Sequence, residues 1–149
     1  MNAETLAEPK IAANVEECVP FYGVTNMEDS LRFYIEGLGF EMKNKWIVDE
    51  RVRWCWLQVG GASLMLQEFS RKRIPAGKLG EGVSIYFICK DALAIYREAR
   101  ARGMEPKRPF VGNAMWVTGF SDPDGYMIYF ESPTDVPEET EYSETEYSE

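Results

Sequence analysis

Hydrophobic positions along this chain switch between a period of two and a period near 3.6, and the switches mark its elements. Glu17–Thr25 reads as a strand. Asn26 follows, with Asp29 three residues on, a pairing that opens helices because a side-chain oxygen there satisfies a free backbone N–H. Leu31, Tyr34, Ile35 and Leu38 then share one helical face, and Gly37 and Gly39 end the helix. Three strands are predicted next: Phe40–Val48, Val52–Val59 and Ala62–Glu68. The last two meet at Gly60-Gly61, a tight hairpin expected to need positive φ at both turn positions.

Ser70–Glu81 is polar and basic and reads as a linker, its Arg71, Lys72, Arg73 and Lys78 solvated. The order then starts again. Val83–Lys90 is a predicted strand, and Asp91 caps a helix with Ala92, Ile95, Tyr96 and Ala99 on its apolar face and Gly103 at its end. Met104–Pro109, Met115–Ser121 and Tyr126–Ser132 are three more predicted strands, the last two joined by the turn Asp122-Pro123-Asp124-Gly125. Strand–helix–three strands thus occurs twice, offset by roughly 65 residues. The expected fold is α+β: one domain over 17–133 made of two βαβββ modules, 17–69 and 82–133, joined by a linker at 70–81. Their sheets are expected to pair edge to edge and curl into a cup.

Composition narrows what such a cup can do. The chain has 149 residues and no histidine. Histidine is the commonest ligand of catalytic transition metals and the usual base near neutral pH. Without it the Ser and Cys residues lack an activating partner, so triad-type nucleophilic catalysis is excluded. No glycine-rich phosphate loop joins a strand to a helix. The net charge of −9 is concentrated beyond Thr134, where Asp135, Glu138, Glu139, Glu141, Glu144, Glu146 and Glu149 stand with no base; removing those seven leaves about −2 for the rest. Residues 134–149, in which the string ETEYS occurs twice, are expected to be a disordered acidic tail, and residues 1–16 a disordered N-terminal segment without the basic start or apolar block of a secretory signal. An acidic chain without a basic stripe is not expected to bind nucleic acid. No apolar run is long enough for a membrane span. Cys18, Cys55 and Cys89 have no paired spacing and read as reduced thiols packed in the core of a cytoplasmic protein. Arg51 and Arg53 read as a solvated strand edge.

The segments VTNMEDSLRFYIEGLGFEM, GGASLMLQE and FSDPDGYMIYFES, in that order and spacing, resemble the vicinal oxygen chelate superfamily of glyoxalases, extradiol dioxygenases and bleomycin-resistance proteins. The resemblance covers roughly Glu16 to Pro133 and implies the cup-shaped fold and a homodimer. It also implies four metal-ligand positions, which here fall on Val19, Met65, Ser84 and Tyr129. Three of these are not normal ligands and the fourth is marginal, because a hard or borderline cation needs several converging carboxylates or imidazoles. The resemblance therefore shifts toward the metal-free binding members, with no metal and no cofactor expected.

Those four positions also imply which face of each strand lines the cup. Period-two alternation then places Phe21, Met65, Gln67, Ser84, Tyr86, Met127, Tyr129 and Glu131 inside, with Gly23, Ser63 and Ile88. Val24, Leu64, Leu66, Val83, Ile85, Phe87, Ile128 and Phe130 back onto the helices. Trp54 and Trp56 share one face of their strand, and with Trp116 they are expected to complete an aromatic slot; Trp46 lies on another strand. Such a lining suits a flat aromatic or cationic small molecule, held by stacking, cation–π contact and the Glu131 carboxylate. The expected function is metal-independent sequestration of such a compound. The alternatives are an enzyme of the same superfamily with an atypical or absent metal site, and an interaction module whose cup is filled by its own side chains.

Overall fold

The computed structural model describes residues 10–70 and 79–144, so most of the basic linker, the first nine residues and the last five lie outside the described residues. A short exposed helix, α1 (Lys10–Asn14), precedes the first module. Strand β1 (Phe21–Val24) leads into Asn26, whose side chain accepts from the Asp29 N–H at 3.2 Å and starts α2 (Met27–Leu31). That helix runs on as π-helical turns over Arg32–Gly37, where the Leu38 N–H reaches back five residues to the Phe33 carbonyl. Strands β2 (Glu41–Val48), β3 (Arg51–Val59) and β4 (Ala62–Glu68) complete a four-stranded sheet of order β1-β4-β3-β2, with β1 parallel to β4.

The second module repeats the plan. Strand β5 (Ser84–Ile88) is followed by α3 (Ala92–Ala101), which Asp91 caps by accepting from the Ala94 N–H at 3.0 Å. Strands β6 (Phe110–Gly112), β7 (Met115–Ser121) and β8 (Met127–Pro133) give a second sheet, β5-β8-β7-β6. The α+β fold of two βαβββ modules is therefore the observed one.

Three details differ from the sequence expectation. Met104–Pro109 is not a strand; Pro106 and Pro109 lack the N–H that a ladder needs, and pairing starts only at Phe110. At the Gly60-Gly61 hairpin only Gly60 has positive φ, +53°, the geometry of a turn that needs it at the first position alone. The double positive φ occurs instead at Asp49-Glu50 and Asn113-Ala114, which close the β2–β3 and β6–β7 hairpins. Cys18 is exposed rather than packed, since it precedes β1; Cys55 is buried, which pushes its thiol up to about 11, and Cys89 is half-buried.

The two sheets share no hydrogen-bonded edge among the described residues. They are joined through their helix-side faces. Val24, Leu57, Leu64 and Leu66 from the first sheet and Phe120, Ile128 and Phe130 from the second enter one core with Tyr34, Phe40 and Ala99. Tyr22 stacks on Tyr126 at 3.9 Å, and Phe40 meets Phe87 edge-on at 5.8 Å. Polar contacts cross the same seam: Tyr34 Oη donates to Asp122 Oδ2 (2.7 Å), Tyr126 Oη to the Gly23 carbonyl (3.0 Å), and the Thr25 Oγ1 and N–H to Asp124 Oδ1 (2.6 Å) and Oδ2 (3.2 Å).

Asp122 is the buried carboxylate of this seam; its Oδ1 also accepts from the Asp124 and Tyr126 N–H groups. Burial raises its pKa above the ordinary carboxyl value, outweighing the lowering by the Tyr34 hydroxyl and the two backbone donors. The folded protein thus holds this proton to higher pH than the unfolded chain does. Stability from this group is greatest in acid and is lost as pH rises from the unfolded carboxyl range, near pH 4, through the raised folded value. Asp122→Asn keeps an acceptor for both N–H groups and never ionises. Its stability relative to wild type should therefore climb as pH rises above the unfolded carboxyl value, near pH 4, in paired urea melts; a difference independent of pH would show that Asp122 titrates normally.

Residues 134–144 correct the expectation of a disordered tail for that stretch. They lie against the second sheet: Tyr142 is 4 % exposed, packed on Tyr96 and Trp116. An apolar anchor every few residues outweighs the local acidity, which is met by Arg100 and Arg108. Arg51 and Arg53 are likewise not a free solvated edge. Both donate to Glu68, a carboxylate whose side chain is 6 % exposed and which also accepts from the Met27 N–H at 2.8 Å.

Candidate ligand-binding site

Because the helix-side faces are consumed by the shared core, the opposite face of each sheet is left open. The register fixes what lies on it. On the first sheet Phe21, Met65, Trp56 and Asn44 form one row across the strands, and Gly23, Gln67, Trp54 and Trp46 form the next. On the second the rows are Ser84, Met127 and Ser121; Tyr86, Tyr129 and Gly119; and Ile88, Glu131, Val117 and Phe110. Ten of the eleven expected lining residues therefore sit on open faces, divided between two sheets rather than gathered in one cup within the chain.

Trp116 is the exception. It pairs with Ser132, whose hydroxyl accepts from the α3 N-terminal Ala92 N–H, so its strand position faces the helix. Its ring is buried with Ala92, Leu93, Tyr96 and Tyr142. Trp116 is core, and the expected aromatic slot loses it.

The second open face carries a built aromatic platform. Tyr86 and Tyr129 stack with centroids 4.7 Å apart and planes 17° from parallel. The Tyr129 ring covers Gly119: a Cβ added there would meet the ring at 2.7 Å. Tyr86 is 53 % exposed, so one face of the stack is open to a further flat ring. Next along β8 stands Glu131, between Ile88 and Val117, and among the described residues no cation or donor pairs with its carboxylate. On the first sheet the Phe69 ring occupies the space above Gly23 where a side chain would be. Phe69 was missed because it lies just past the end of β4. The continuing alternation Met65, Gln67, Phe69 and a glycine inside β1 were the signals available.

These faces are unusually apolar for solvent exposure: Phe21, Trp46, Tyr86, Ile88 and Phe110 are each 45–66 % exposed. Contiguous surfaces of this kind mark interaction sites. A separate cleft of about 830 Å³ opens at the module junction, floored by Phe33, Met104 and Phe120. Its two arginines are already engaged, Arg32 by Asp29 and Arg102 by Glu98 and the Glu36 carbonyl, so the open faces are the better candidate.

The implied metal positions do not fit an ion. Met65 pairs with Phe21, Ser84 with Met127 and Tyr129 with Tyr86, so each lies beside apolar or aromatic groups. Among the described residues no three His, Cys, Asp or Glu side chains converge. A thioether, a valine, a hydroxyl and a phenol engaged in stacking are not the donor set of a hard divalent cation.

No curated protein sequence matches the chain. Solved structures do. TnmS3, an antibiotic-binding protein from Streptomyces sp. CB03234, is 21 % identical, with 81 % of this chain and 98 % of that one covered and a TM-score of 0.64. TioX from Micromonospora sp. ML1 is 15 % identical over 80 % of this chain and 99 % of that one, with a TM-score of 0.65. A glyoxalase/bleomycin resistance protein from Catenulispora acidiphila DSM 44928 is 22 % identical over 80 % and 97 %, with a TM-score of 0.60. At such identities these likenesses establish the fold. The sequence itself matches a family model over residues 15–130, most of its length, and the chain accordingly belongs to the Glyoxalase/Bleomycin resistance protein/Dioxygenase superfamily.

Proposed function

We propose that the protein sequesters a flat aromatic or cationic small molecule without metal or turnover, in a cup completed by a second copy of the chain. The observation that carries this is the Tyr86–Tyr129 stack laid over Gly119 with its outer face open, beside the Glu131 carboxylate, which meets no cation or donor among the described residues. A planar ring adds to such a stack by dispersion and quadrupole contact, and a positive charge on it is met by Glu131. The first sheet offers Trp46, Trp54, Trp56 and Phe21 as the opposing wall. In one chain the two faces point away from the shared core, so the enclosing wall comes from a homodimer in which the first sheet of one copy faces the second sheet of the other. Antibiotic binding by TnmS3 on the same fold supports the class of ligand. Three unpaired cysteines suit a reducing, cytoplasmic setting.

Thermal melts with acridine and phenanthridinium dyes, and with a panel of planar antibiotics, test the proposal. A ligand at one hundred times its dissociation constant stabilises the native state by about 2.7 kcal/mol, a rise in Tm of roughly 5–10 °C for a chain of this size. Sedimentation should report a dimer. A dimer that melts unchanged with every planar probe would sink the sequestration proposal.

A further inference from the structure

The acidic segment after β8 binds the second sheet as an added strand. The Val111 N–H donates to the Thr140 carbonyl, the Glu139 N–H to the Val111 carbonyl and the Tyr142 N–H to the Pro109 carbonyl, each at 2.8 Å. Backbone bonds of this kind give strand addition its affinity, and side-chain pockets give it selectivity. Here the pocket is filled by Tyr142, against Tyr96 and Trp116. Two cations read the acids on either side: Arg108 pairs with Glu141 at 2.9 Å and Arg100 with Glu144 at 2.6 Å. The groove thus recognises Glu-Thr-Glu-Tyr-Ser-Glu, residues 139–144, through both backbone and side chains.

The chain contains that hexapeptide twice. Residues 144–149 read Glu-Thr-Glu-Tyr-Ser-Glu again, sharing Glu144 with the first copy. Every side chain that the groove contacts in the first copy has an identical counterpart five residues on: Glu146 for Glu141, Tyr147 for Tyr142, Glu149 for Glu144. We propose that the edge of the second sheet is a peptide-binding groove with two interchangeable occupants from its own chain, residues 139–144 and residues 144–149. When the second copy docks, the five residues displaced from the groove join the loop after Glu138. That lengthening is entropically cheap, because closure cost grows only with the logarithm of loop length. Glu138 is a fixed point for both arrangements, its carboxylate accepting from the Asn113 and Ala114 N–H groups of the β6–β7 turn. A cavity of about 420 Å³ lies between Tyr96, Arg100 and Arg108 and the docked residues 141–144.

Amide hydrogen exchange of the full-length protein tests this at Val111, whose N–H is bonded whichever copy is docked, with the core amide of Ile128 as the control for folding. Tyr142→Ala and Tyr147→Ala should each lower Val111 protection by less than about threefold, and the double variant by about tenfold or more, the non-additivity expected of alternative occupants. Tyr142→Ala ending at Glu144 should match the double variant. Three results would overturn the proposal: Tyr142→Ala alone losing as much as the double variant, the double variant losing nothing, or protection in Tyr142→Ala that disappears on dilution. The last would place the second copy on another molecule.

Discussion

Glu68→Ala should destabilise the protein by about 2–3 kcal/mol, visible as a fall in Tm of roughly 5–10 °C. The Glu68 side chain is 6 % exposed and holds three donors at once: the Met27 N–H at the start of α2, and the guanidinium groups of Arg51 and Arg53. Removing the carboxylate leaves the first N–H of the helix without its partner and two cations without their counter-charge. Removing one member of a buried pair costs about 3–5 kcal/mol, but Arg51 and Arg53 are one-third to one-half exposed and regain water, which lowers the figure. Glu68→Gln keeps an acceptor for Met27 and loses only the charge, so it should forfeit about half as much. Chemical denaturation of the three proteins at one pH checks the order. Equal stability of Glu68→Ala and wild type would show that water replaces the carboxylate and that the cluster merely decorates the sheet.

Much of this molecule was legible in the sequence because local chemistry and tertiary context agree. Asn26 and Asp91 cap their helices as spacing predicts, and Leu64, Leu66, Ile128 and Phe130 lie on the helix side as alternation requires. Where two signals competed, the sequence was ambiguous. Met104–Pro109 has the length of a strand, but its two prolines prevail. Trp116 is a strand tryptophan like Trp54 and Trp56, yet alternation on β7 turns it to the helix, where it pairs with the helix-facing Ser132. Arg51 and Arg53 look solvated because their partner, Glu68, lies fifteen or more residues away in sequence and is brought near only by the β3–β4 pairing. Tyr142 was hidden in the same way: a tyrosine among acids reads as disorder until Tyr96 and Trp116 offer it a pocket. The candidate site was legible strand by strand, since period-two alternation is local. Its division between two open faces was not, because the joining of the sheets through Tyr22, Tyr34, Phe40 and Tyr126 is a property of the whole chain.

Gly119→Ala should cripple binding of a planar probe while leaving the fold in place. A methyl group at this position would stand 2.7 Å from the Tyr129 ring, closer than the two can approach, so the ring must leave the sheet. Tyr129 is half-buried on an open face and has somewhere to go, which limits the stability loss to about 1 kcal/mol. Its stack with Tyr86 has nowhere else to form, because the 4.7 Å separation depends on the ring sitting over a residue without a side chain. Affinity for an acridine dye should fall about tenfold in Gly119→Ala and about thirtyfold or more in Tyr129→Ala, the size expected when a central aromatic anchor is lost. Glu131→Gln separates the charge from the stack: it should weaken a cationic phenanthridinium dye several-fold and leave a neutral planar probe unchanged. Titrations followed by dye fluorescence measure all three. If Tyr129→Ala binds the dyes as wild type does, the open face of the second sheet is not where they sit, whatever the melts report.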